Sequence, residues 1–527
     1  MSPPSASLND SSNTDAVFPQ RPMWESVFSV ALALSLLAAF LIKSNKTYLG
    51  HDDLCTTTLV ANPNFGQMLE TIRSGGEVNP PLLFVIGWSV ARVFGTGELP
   101  MRALSAIPLI LAAVVTFRLL RRSVGWGAAA LATAMVFGLS RAVFDLMQTA
   151  RYYGLLVLLG ALAASVFLNL SKVAKPGWPL LLWVFLIHSA LVWLHLFGLF
   201  FSGMWLAALV VSDWLRGKRL IRVYAAVLTA WATFVFWVPA LKVQLQVTRD
   251  GTWTPRMPFG LFVDEPAMQT PLATVMLILA ALALVAVLTK PEEGTLARNR
   301  LPSDLVSLLI LSLSWMAVTV ATWAGSYVTK PFYMQRYVAP CLVALTVLVA
   351  LGAWLVKRLP GSDLARLPVW ARHIAWGGAI LLCLLFQPLR ALSDSPRPDH
   401  AFEDFDFGHP NLPIVFEDSM DYLVRAYYGQ GREYALIIDR DAAEADPGYF
   451  TKLTERYFSK YRPYYRDEVT ILYADDLPTW PKGFLAIDCV RAKTWEWLFA
   501  HQPGWKVEWL GTWPTEQKVY LVQRQSP

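Results

Sequence analysis

Long runs of apolar residues recur between residues 24 and 389, and they constrain the possible fold more than any other feature of the chain. A helix that crosses a membrane needs about 20 consecutive, mostly apolar residues. About eleven runs approach that length, at residues 24–42, 102–119, 125–143, 153–170, 178–195, 197–214, 222–240, 271–289, 304–323, 337–356 and 373–389. The sequence therefore predicts a polytopic α-helical membrane protein with about 11 transmembrane helices.

The charge pattern agrees with this prediction and orients the helices. Only 16% of the 527 residues are charged, against about 25% in soluble domains. The net charge is +6, but the basic residues cluster in every second short loop, which is typical of cytoplasmic loops rather than of nucleic-acid binding. We therefore expect a cytoplasmic N-terminal tail, residues 1–23, and an external C-terminus. The tail lacks the basic start of a cleaved signal, so the first run is expected to remain as a span.

The run "PPLLFVIGWSVARVF" at residues 80–94 is short for a span, opens with two prolines and contains Arg92. Counting it as a span would place the basic loops on alternating sides of the membrane. We therefore expect a juxtamembrane helix lying in the outer interface, within one long external loop of residues 44–101.

The composition changes after about residue 390. Segments such as "YALIID" and "KVYLVQR" are rich in β-branched and aromatic residues and predict strands, with helical patterns such as "YFTKLTERYFSKYRPYY" between them. We predict a transmembrane domain at residues 24–389 and a small extracytoplasmic α/β domain at residues 390–527.

Ionisable residues suited to chemistry collect at the predicted outer ends of the spans, where charged groups are costly and usually mark a site. One reaction that needs a carboxylate and several cations at a membrane surface is the transfer of a sugar from a lipid phosphate. A base must take a proton from the acceptor, and cations must stabilise the departing phosphate. Arginine suits the second task because its planar group can hold two phosphate oxygens. The candidate bases are Asp52 and Asp53, and the candidate phosphate ligands are Arg102, Arg151, Arg336 and Tyr337.

Five motifs occur in a fixed order over about residues 24–356: "HDDLCTTTL", "NPPLLFVIGWSVARVFGTGELPMRALSAIP", "MQTARYYGLLVLLG", "WLHLFG" and "FYMQRYVAP". They resemble the GT-C superfamily of membrane glycosyltransferases, and in particular family 39 and its relatives. These relatives are the protein O-mannosyltransferases, the lipid A aminoarabinose transferase and the rhizobial lipopolysaccharide glycosyltransferases. The resemblance implies a GT-C-like fold and a polyprenyl-phosphate sugar donor.

The resemblance also implies roles for individual residues. Asp52 matches the catalytic aspartate of the family, and Asp53 stands where the family usually has Glu. Asn79 stands where relatives have His or Lys at a position implicated in contacting the lipid phosphate, so another cation is expected to compensate. Three further pairs match the family: Glu98 with Arg102 at the start of the second span, Arg151 with Tyr152 at an outer corner, and Arg336 with Tyr337 before a proline. Two histidines also lie within the motifs, His51 in "HDDLCTTTL" and His195 in "WLHLFG".

Structural interpretations of several of these residues stay open. Asp53 could cap a juxtamembrane helix. Glu98 and Arg102, four residues apart, could form a structural pair. His195 could be a hydrogen-bonded packing residue rather than a catalytic one.

The acid Asp145 and the question of a metal also leave alternatives. Asp145 could bind an acceptor amine or hydroxyl, or it could pair with Arg141 or Arg151. The four cysteines lie far apart without metal-ligand spacing, and no cofactor is expected. A divalent cation remains an alternative, because Asp52, Asp53 and Asp145 could together supply the carboxylate oxygens that hard cations prefer.

These observations predict a glycosyltransferase of the plasma (inner) membrane that works at the outer face. It would transfer a sugar from a polyprenyl-phosphate donor to a hydroxyl or amine of a glycolipid, polysaccharide or protein, by an inverting single displacement with little or no dependence on metal. The alternative is a transporter or flippase of a lipid-linked or anionic solute. Transporters often contain repeats with sites at the membrane midplane, whereas here the ionisable residues lie at one end of the spans, which favours the enzyme.

Overall fold

The structure is a computed structural model, and it describes residues 23–249, 254–260, 302–356, 368–397, 407–429, 432–446, 448–479, 483–489, 491–502, 504–513 and 517–524. The predicted span at 271–289, nearly all of the predicted N-terminal tail and part of the junction between the two predicted domains lie outside the described residues.

Helices make up most of the described chain up to Ser393. In chain order they are α1 (Met23–Ser44), α2 (His51–Ala61), α3 (Phe65–Thr71), α4 (Leu82–Phe94), α5 (Glu98–Val124), α6 (Trp126–Leu139), α7 (Arg141–Leu146), α8 (Tyr153–Lys172), α9 (Trp178–Leu194), α10 (Leu196–Leu215), α11 (Ile221–Ala232), α12 (Val238–Val247), α13 (Ser303–Val328), α14 (Cys341–Val356) and α15 (Val369–Ser393).

Seven helical segments of the described chain are long and apolar enough to cross a membrane: α1, α5, α8, α10, α11 continued through α12, α13, and α15 from Ile374. Shorter apolar helices, among them α6, α9 and α14, match three more of the predicted runs. The prediction of a polytopic helical membrane protein is therefore confirmed, while the number of spans stays a prediction. The run at residues 80–94 forms α4, which packs on α2, where the indole N–H of Trp88 donates to the carbonyl of Asn62 at 2.9 Å.

The helices α1 and α5 run antiparallel, and this defines two ends of the bundle. Arg121, near the end of α5, pairs with Glu25 near the start of α1. Arg102, near the start of α5, donates to the carbonyl of Ser44 at the end of α1, at 2.8 Å. Because α5 has 27 residues, it separates these ends by about 40 Å.

The basic loops that the structure describes lie at the end of the bundle opposite to Arg102 and the start of α5. α8 begins beside the start of α5, where the N–H of Gly154 donates to Ser105 Oγ at 3.0 Å. Its last residue, Lys172, therefore lies at the Arg121 end. Arg216 lies there as well, since its guanidinium donates to the carbonyl of Ser171 at 2.7 Å.

The C-terminal part alternates strands and helices around one sheet, and the predicted small α/β domain is confirmed. Its elements are β1 (Ile414–Phe416), α16 (Ser419–Tyr428), β2 (Tyr434–Ile438), α17 (Arg440–Ala445), α18 (Tyr449–Tyr461), β3 (Ile471–Tyr473), β4 (Phe484–Ile487), α19 (Thr494–His501), β5 (Trp505–Thr512) and β6 (Lys518–Arg524). The strand order is β3-β2-β1-β4-β6-β5. The first four strands in this order are parallel to one another, and β6 is antiparallel to both of its neighbours, β4 and β5. Every residue of β1, β2 and β4 is buried, as expected for parallel strands covered on both faces.

The α/β domain rests on the loop between α1 and α5. The hydroxyl of Tyr428 accepts the N–H of Leu49 at 2.7 Å, and the hydroxyl of Tyr465 donates to the carbonyl of Leu59 at 3.1 Å. These contacts, one just before α2 and one near its end, place the sheet domain against α2, at the end of the bundle that holds Arg102.

Candidate functional site

Asp53 is fixed in the first turn of α2, just after the first membrane helix. Gly50 precedes the helix in an extended conformation, and its N–H donates to Asp53 Oδ2 at 3.1 Å. The other carboxylate oxygen accepts the N–H of Ala150 at 2.8 Å. Burial raises the pKa of Asp53, although these hydrogen bonds and the charge of Arg151 oppose the shift. Both oxygens are thus engaged, and Asp53 ties α2 to the corner before α8.

Asp52 is more accessible than Asp53 and contacts a cation. Its Oδ2 accepts a hydrogen bond from Arg336 Nη2 at 2.6 Å, with both side chains 30% exposed. Its Oδ1 lies 3.7 Å from Nδ1 of His51. Burial alone would raise the pKa of Asp52, but the neighbouring His51 ring and the charges of Arg151 and Arg336 hold that pKa well below its usual range. Asp52 is therefore an ionised carboxylate that solvent can reach.

A buried pair, Arg151 and Glu77, lies behind Asp52. Arg151 Nη1 is 3.4 Å from Glu77 Oε2, and it donates to Thr56 Oγ1 at 2.8 Å and to the carbonyl of Asp52 at 3.3 Å. The side-chain amide of Asn79 donates to the other oxygen of Glu77 at 2.8 Å. Asn79 therefore orients the acid that holds Arg151.

The rings of Tyr152, His195 and Tyr337 pack together beside the two cations, Arg151 and Arg336. The rings of Tyr152 and His195 are 4.2 Å apart, and those of His195 and Tyr337 are 5.0 Å apart. The guanidinium of Arg151 lies 5.5 Å from the Tyr152 ring, and that of Arg336 lies 6.0 Å from the Tyr337 ring. His195 Nδ1 also accepts the N–H of Phe197 at 3.1 Å, so it caps α10. Burial lowers the pKa of His195 to about 3, so the ring is neutral.

Glu98 and Arg102 do not line the cavity. Their polar atoms form hydrogen bonds with each other and with neighbouring residues of the chain. Arg102 is fully buried and donates to the carbonyls of Ser44, Thr47 and Gln148 at 2.8–3.1 Å. It also donates to Glu98 Oε2 at 3.1 Å. The pair therefore joins the start of α5 to the chain that follows α1.

Asp145 is separate from the other candidates. It lies in the short helix α7 and pairs with Arg141 at 3.4 Å, with more than half of each side chain exposed. This is one of the two pairings that the sequence left open.

A cavity of about 440 Å³ opens beside Asp52. The bundle contributes α2, the segment at Gly76 and Glu77, the corner at Arg151, and Arg336 from a 3₁₀ turn at Gln335–Val338. The α/β domain contributes the opposite wall, from the start of α16, from α18 and from Arg491. His51 lies at this junction, with its Nε2 3.3 Å from Ser419 Oγ. Of the predicted site residues, those that line the cavity are His51, Asp52, Asp53, Arg151 and Arg336.

Sequence reasoning missed Glu77 and the whole wall formed by the α/β domain. The sequence did carry a signal for Glu77, which is an acid two residues before the "NPP" motif in the same predicted external loop. Tyr457 and its neighbours on α18 carried none, because aromatic residues at helical spacing are typical of ordinary packing.

Within the described part of the chain, no group of three or more His, Cys, Asp or Glu side chains is arranged to hold a metal ion. Asp53 has both oxygens bonded to backbone N–H groups, and Asp145 pairs with Arg141. The three aspartates considered as cation ligands therefore do not come together in this structure.

No family model matches the chain, and no curated protein matches it either. Solved structures do match. ArnT from Cupriavidus metallidurans is similar both bound to undecaprenyl phosphate, with a TM-score of 0.55, and in the apo state, with a TM-score of 0.57. Each comparison has 13% sequence identity and covers 96% of this chain and 99% of the ArnT chain.

An oligosaccharyltransferase from Archaeoglobus fulgidus, in a complex with Zn and sulfate, matches with a TM-score of 0.43 and 12% identity, over 93% of this chain and 72% of its own. The likeness to ArnT extends over both the membrane helices and the C-terminal sheet domain. The chain therefore has the GT-C-like fold that its motifs predict.

Proposed function

We propose that the chain transfers a sugar from a polyprenyl-phosphate donor to an acceptor at the outer face of the plasma membrane. The observation that carries this proposal is the contact of an ionised, accessible carboxylate, Asp52, with the guanidinium of Arg336 at 2.6 Å, in a cavity at one end of the membrane helices. The likeness in fold to ArnT, which was solved with bound undecaprenyl phosphate, supports a lipid phosphate as the donor.

In this proposal Arg336 holds the donor phosphate. Its side chain lines the cavity, and its buried Nε has no hydrogen-bond partner among the described residues. Tyr337 follows it in the chain, and Arg151 adds positive charge from behind. A phosphate bound to Arg336 would neutralise the positive charge of this guanidinium, which pairs with Asp52 in the free protein. Asp52 would then be released, and its pKa would rise towards the range in which a carboxylate works well as a base.

The bonds change in one step. Asp52 takes the proton of an acceptor hydroxyl or amine, and the acceptor atom attacks the anomeric carbon of the sugar. The bond from that carbon to the phosphate oxygen breaks, and its electron pair stays on the phosphate, which Arg336 stabilises. The products are an inverted glycoside and polyprenyl phosphate, with the proton on Asp52.

The other predicted site residues have supporting roles in the proposal. Asp53 orients α2, and Asn79 orients Glu77 rather than touching phosphate. Arg102 and Glu98 hold the start of α5, because the donors of Arg102 are already used by carbonyl groups and by Glu98. The acceptor would be a glycolipid, a polysaccharide or a protein that reaches the cavity from the side of the α/β domain.

The test is sugar transfer in reconstituted membranes with a panel of labelled undecaprenyl-phosphate sugars and native membrane extract as acceptor. We expect Asp52→Asn to lower transfer by about 10²- to 10⁴-fold, the contribution typical of a general base, while it still binds sugar-free undecaprenyl phosphate. The matched control is Asp145→Asn, which removes an exposed carboxylate outside the cavity and should leave transfer unchanged.

Two results would contradict the proposal. Equal transfer by wild type and Asp52→Asn would remove Asp52 as the base. Movement of labelled lipid across the bilayer, without consumption of any donor by the wild type, would make the protein a transporter.

A further inference from the structure

We propose that the α/β domain completes the donor site and that Tyr457 of α18 positions the sugar that is transferred. This inference rests on the proposed function and adds to it a binding role for the C-terminal domain. It assigns the space between Asp52 and α18 to the sugar ring of the donor.

The helix α18 is held over the reaction groups by contacts with the membrane domain. It packs against the π-helical turn Ile72–Gly76, which directly precedes Glu77. Arg456 on α18 donates to the carbonyl of Val247, at the end of α12, at 3.1 Å. Just after α18, the hydroxyl of Tyr465 donates to the carbonyl of Leu59 in α2 at 3.1 Å. α18 and the residues that follow it therefore contact the turn that precedes Glu77 and the helix α2, which carries Asp52.

Tyr457 lines the cavity and carries a polar group that the described residues leave without a partner. This group is its hydroxyl, which is buried. It lies close enough to Glu77, Cys55 and Arg151 to interact with them electrostatically. Because buried polar groups in proteins are nearly always hydrogen-bonded, we infer that this hydroxyl finds its partner in a ligand, towards which a small rotation of the side chain would turn it.

The surroundings of Tyr457 fit a sugar ring better than a lipid chain. Phe450, Leu453, Phe458 and Tyr461 give the same wall an apolar and aromatic surface, and polar residues such as Thr454 and Arg491 line it as well. Ligand sites commonly combine such a surface with a few placed polar groups, and a sugar offers both C–H faces and hydroxyls. The lipid tail must leave the site towards the membrane helices, whereas this wall belongs to the domain on the opposite side of the cavity.

The test compares wild type, Tyr457→Phe and Tyr464→Phe in the full-length protein. The first substitution removes only the buried hydroxyl of a tyrosine that lines the cavity, and the second removes a hydroxyl from an exposed tyrosine of the same domain that does not line it. The probes are the undecaprenyl-phosphate sugar that wild type consumes best, its analogues that each lack one sugar hydroxyl, and sugar-free undecaprenyl phosphate.

We expect Tyr457→Phe to lower kcat/KM for the full sugar about three- to tenfold, as for the loss of one hydrogen bond, and Tyr464→Phe to match wild type. Binding of sugar-free lipid should not change. With wild type, one deoxy donor should react more slowly than the full sugar. With Tyr457→Phe, that deoxy donor and the full sugar should react equally fast, because the variant already lacks the same hydrogen bond. A structural effect would not produce this pattern.

The inference is overturned if wild type transfers sugar and Tyr457→Phe transfers it equally well. It is also overturned if Tyr457→Phe weakens binding of the sugar-free lipid as much as it weakens transfer, since the effect would then not involve the sugar. If wild type consumes no donor at all, the proposed function itself fails and this inference fails with it. The wild-type reaction therefore separates the two failures.

Discussion

Asp52 and Arg336 neutralise each other in the free protein, at 2.6 Å, and this contact gives the activity a specific pH dependence. Asp52 must be ionised to act, so activity falls as the pH drops through its pKa. In the free protein, burial is outweighed by His51, Arg151 and Arg336, and that pKa is well below its usual range. We therefore expect kcat/KM, which reports the free enzyme, to stay level down to about pH 4, near the pKa of an ordinary aspartate.

The value of kcat reports the enzyme–substrate complex instead. Because the donor phosphate takes over Arg336, the acid limb of kcat is expected at a higher pH than that of kcat/KM. Full pH profiles of both parameters for the preferred donor would measure this, with Asp145→Asn giving the same curves as wild type. Acid limbs at the same pH would contradict the exchange of partners at Arg336.

Glu77 stabilises the fold as well as the site. It is buried 3.4 Å from Arg151, and its other oxygen accepts from Asn79. Breaking a buried ion pair costs about 3–5 kcal/mol, because one charge stays buried without a partner. We expect Glu77→Ala to lower the free energy of unfolding by about this amount and to reduce transfer, because Arg151 loses its partner.

The control for this prediction is Glu70→Ala in α3 of the same loop. Glu70 is exposed, and surface substitutions usually change stability by less than about 0.5 kcal/mol. Thermal unfolding of the purified proteins in detergent, together with transfer assays, would measure both variants. Equal stability of the two would mean that Glu77 does not support the fold.

Glu77 directly follows the π-helical turn Ile72–Gly76, and this turn depends on Gly75. Gly75 has a φ of +97°, and a Cβ there would lie 2.7 Å from Cγ2 of Val247 in α12. Gly125, between α5 and α6, has a φ of +83° but open space around it. Both Gly→Ala substitutions incur the left-handed strain of about 1–3 kcal/mol, and only Gly75→Ala adds a clash.

We therefore expect Gly75→Ala to be the more destabilising of the two, and to lower transfer because the turn that precedes Glu77 moves. Gly125→Ala should lose stability without a comparable loss of transfer per molecule of folded protein. Thermal unfolding and transfer rates normalised to folded protein would test this. The reverse order of stability would show that α12 yields to the added methyl group.

Most of the helices could be predicted from the sequence, because a span must be long and apolar and that property is visible directly. Breaks inside an apolar run could not be predicted in this way. The run at residues 125–143 ends as a helix at Leu139, and α7 begins after Ser140, whose hydroxyl accepts the N–H of Val143 at 3.5 Å. Hydrophobicity does not record such a cap, so the end of this apolar run lies in a separate short helix, α7.

The candidate site was predicted in part for a similar reason. Asp52, Arg151 and Arg336 lie next to one another because the ends of α1, α8 and α13 meet at one end of the bundle, which the alternation of the loops indicates. Tyr457 lies about 400 residues after Asp52 in the chain, and it reaches the cavity only because the α/β domain docks on the membrane helices. That docking uses single tyrosine hydroxyls and backbone groups, such as Tyr465 with Leu59, and such contacts leave no pattern in the sequence.

At the scale of the whole molecule, the two ends of the bundle predict how the protein lies in the membrane. Arg121, Lys172 and Arg216 gather at one end, and the cavity with the α/β domain lies at the other. Because basic loops stay in the cytoplasm, the α/β domain is expected outside.

Two matched substitutions test this orientation. Ala174 lies in the loop after α8 at the basic end, and Ala500 lies in α19 of the α/β domain; both are exposed. Of the native cysteines, Cys341, Cys383 and Cys489 are buried and Cys55 is partly buried, so labelling of the wild type sets a low background.

The experiment applies a membrane-impermeant thiol reagent to cells whose outer barrier has been opened and whose inner membrane is intact. Ala500→Cys should then be labelled and Ala174→Cys should not. Ala174→Cys should become labelled only after the inner membrane is permeabilised. Labelling in the opposite order would place the cavity in the cytoplasm, where Asp52 would meet a different set of acceptors, and the proposed reaction at the outer face would have to be abandoned.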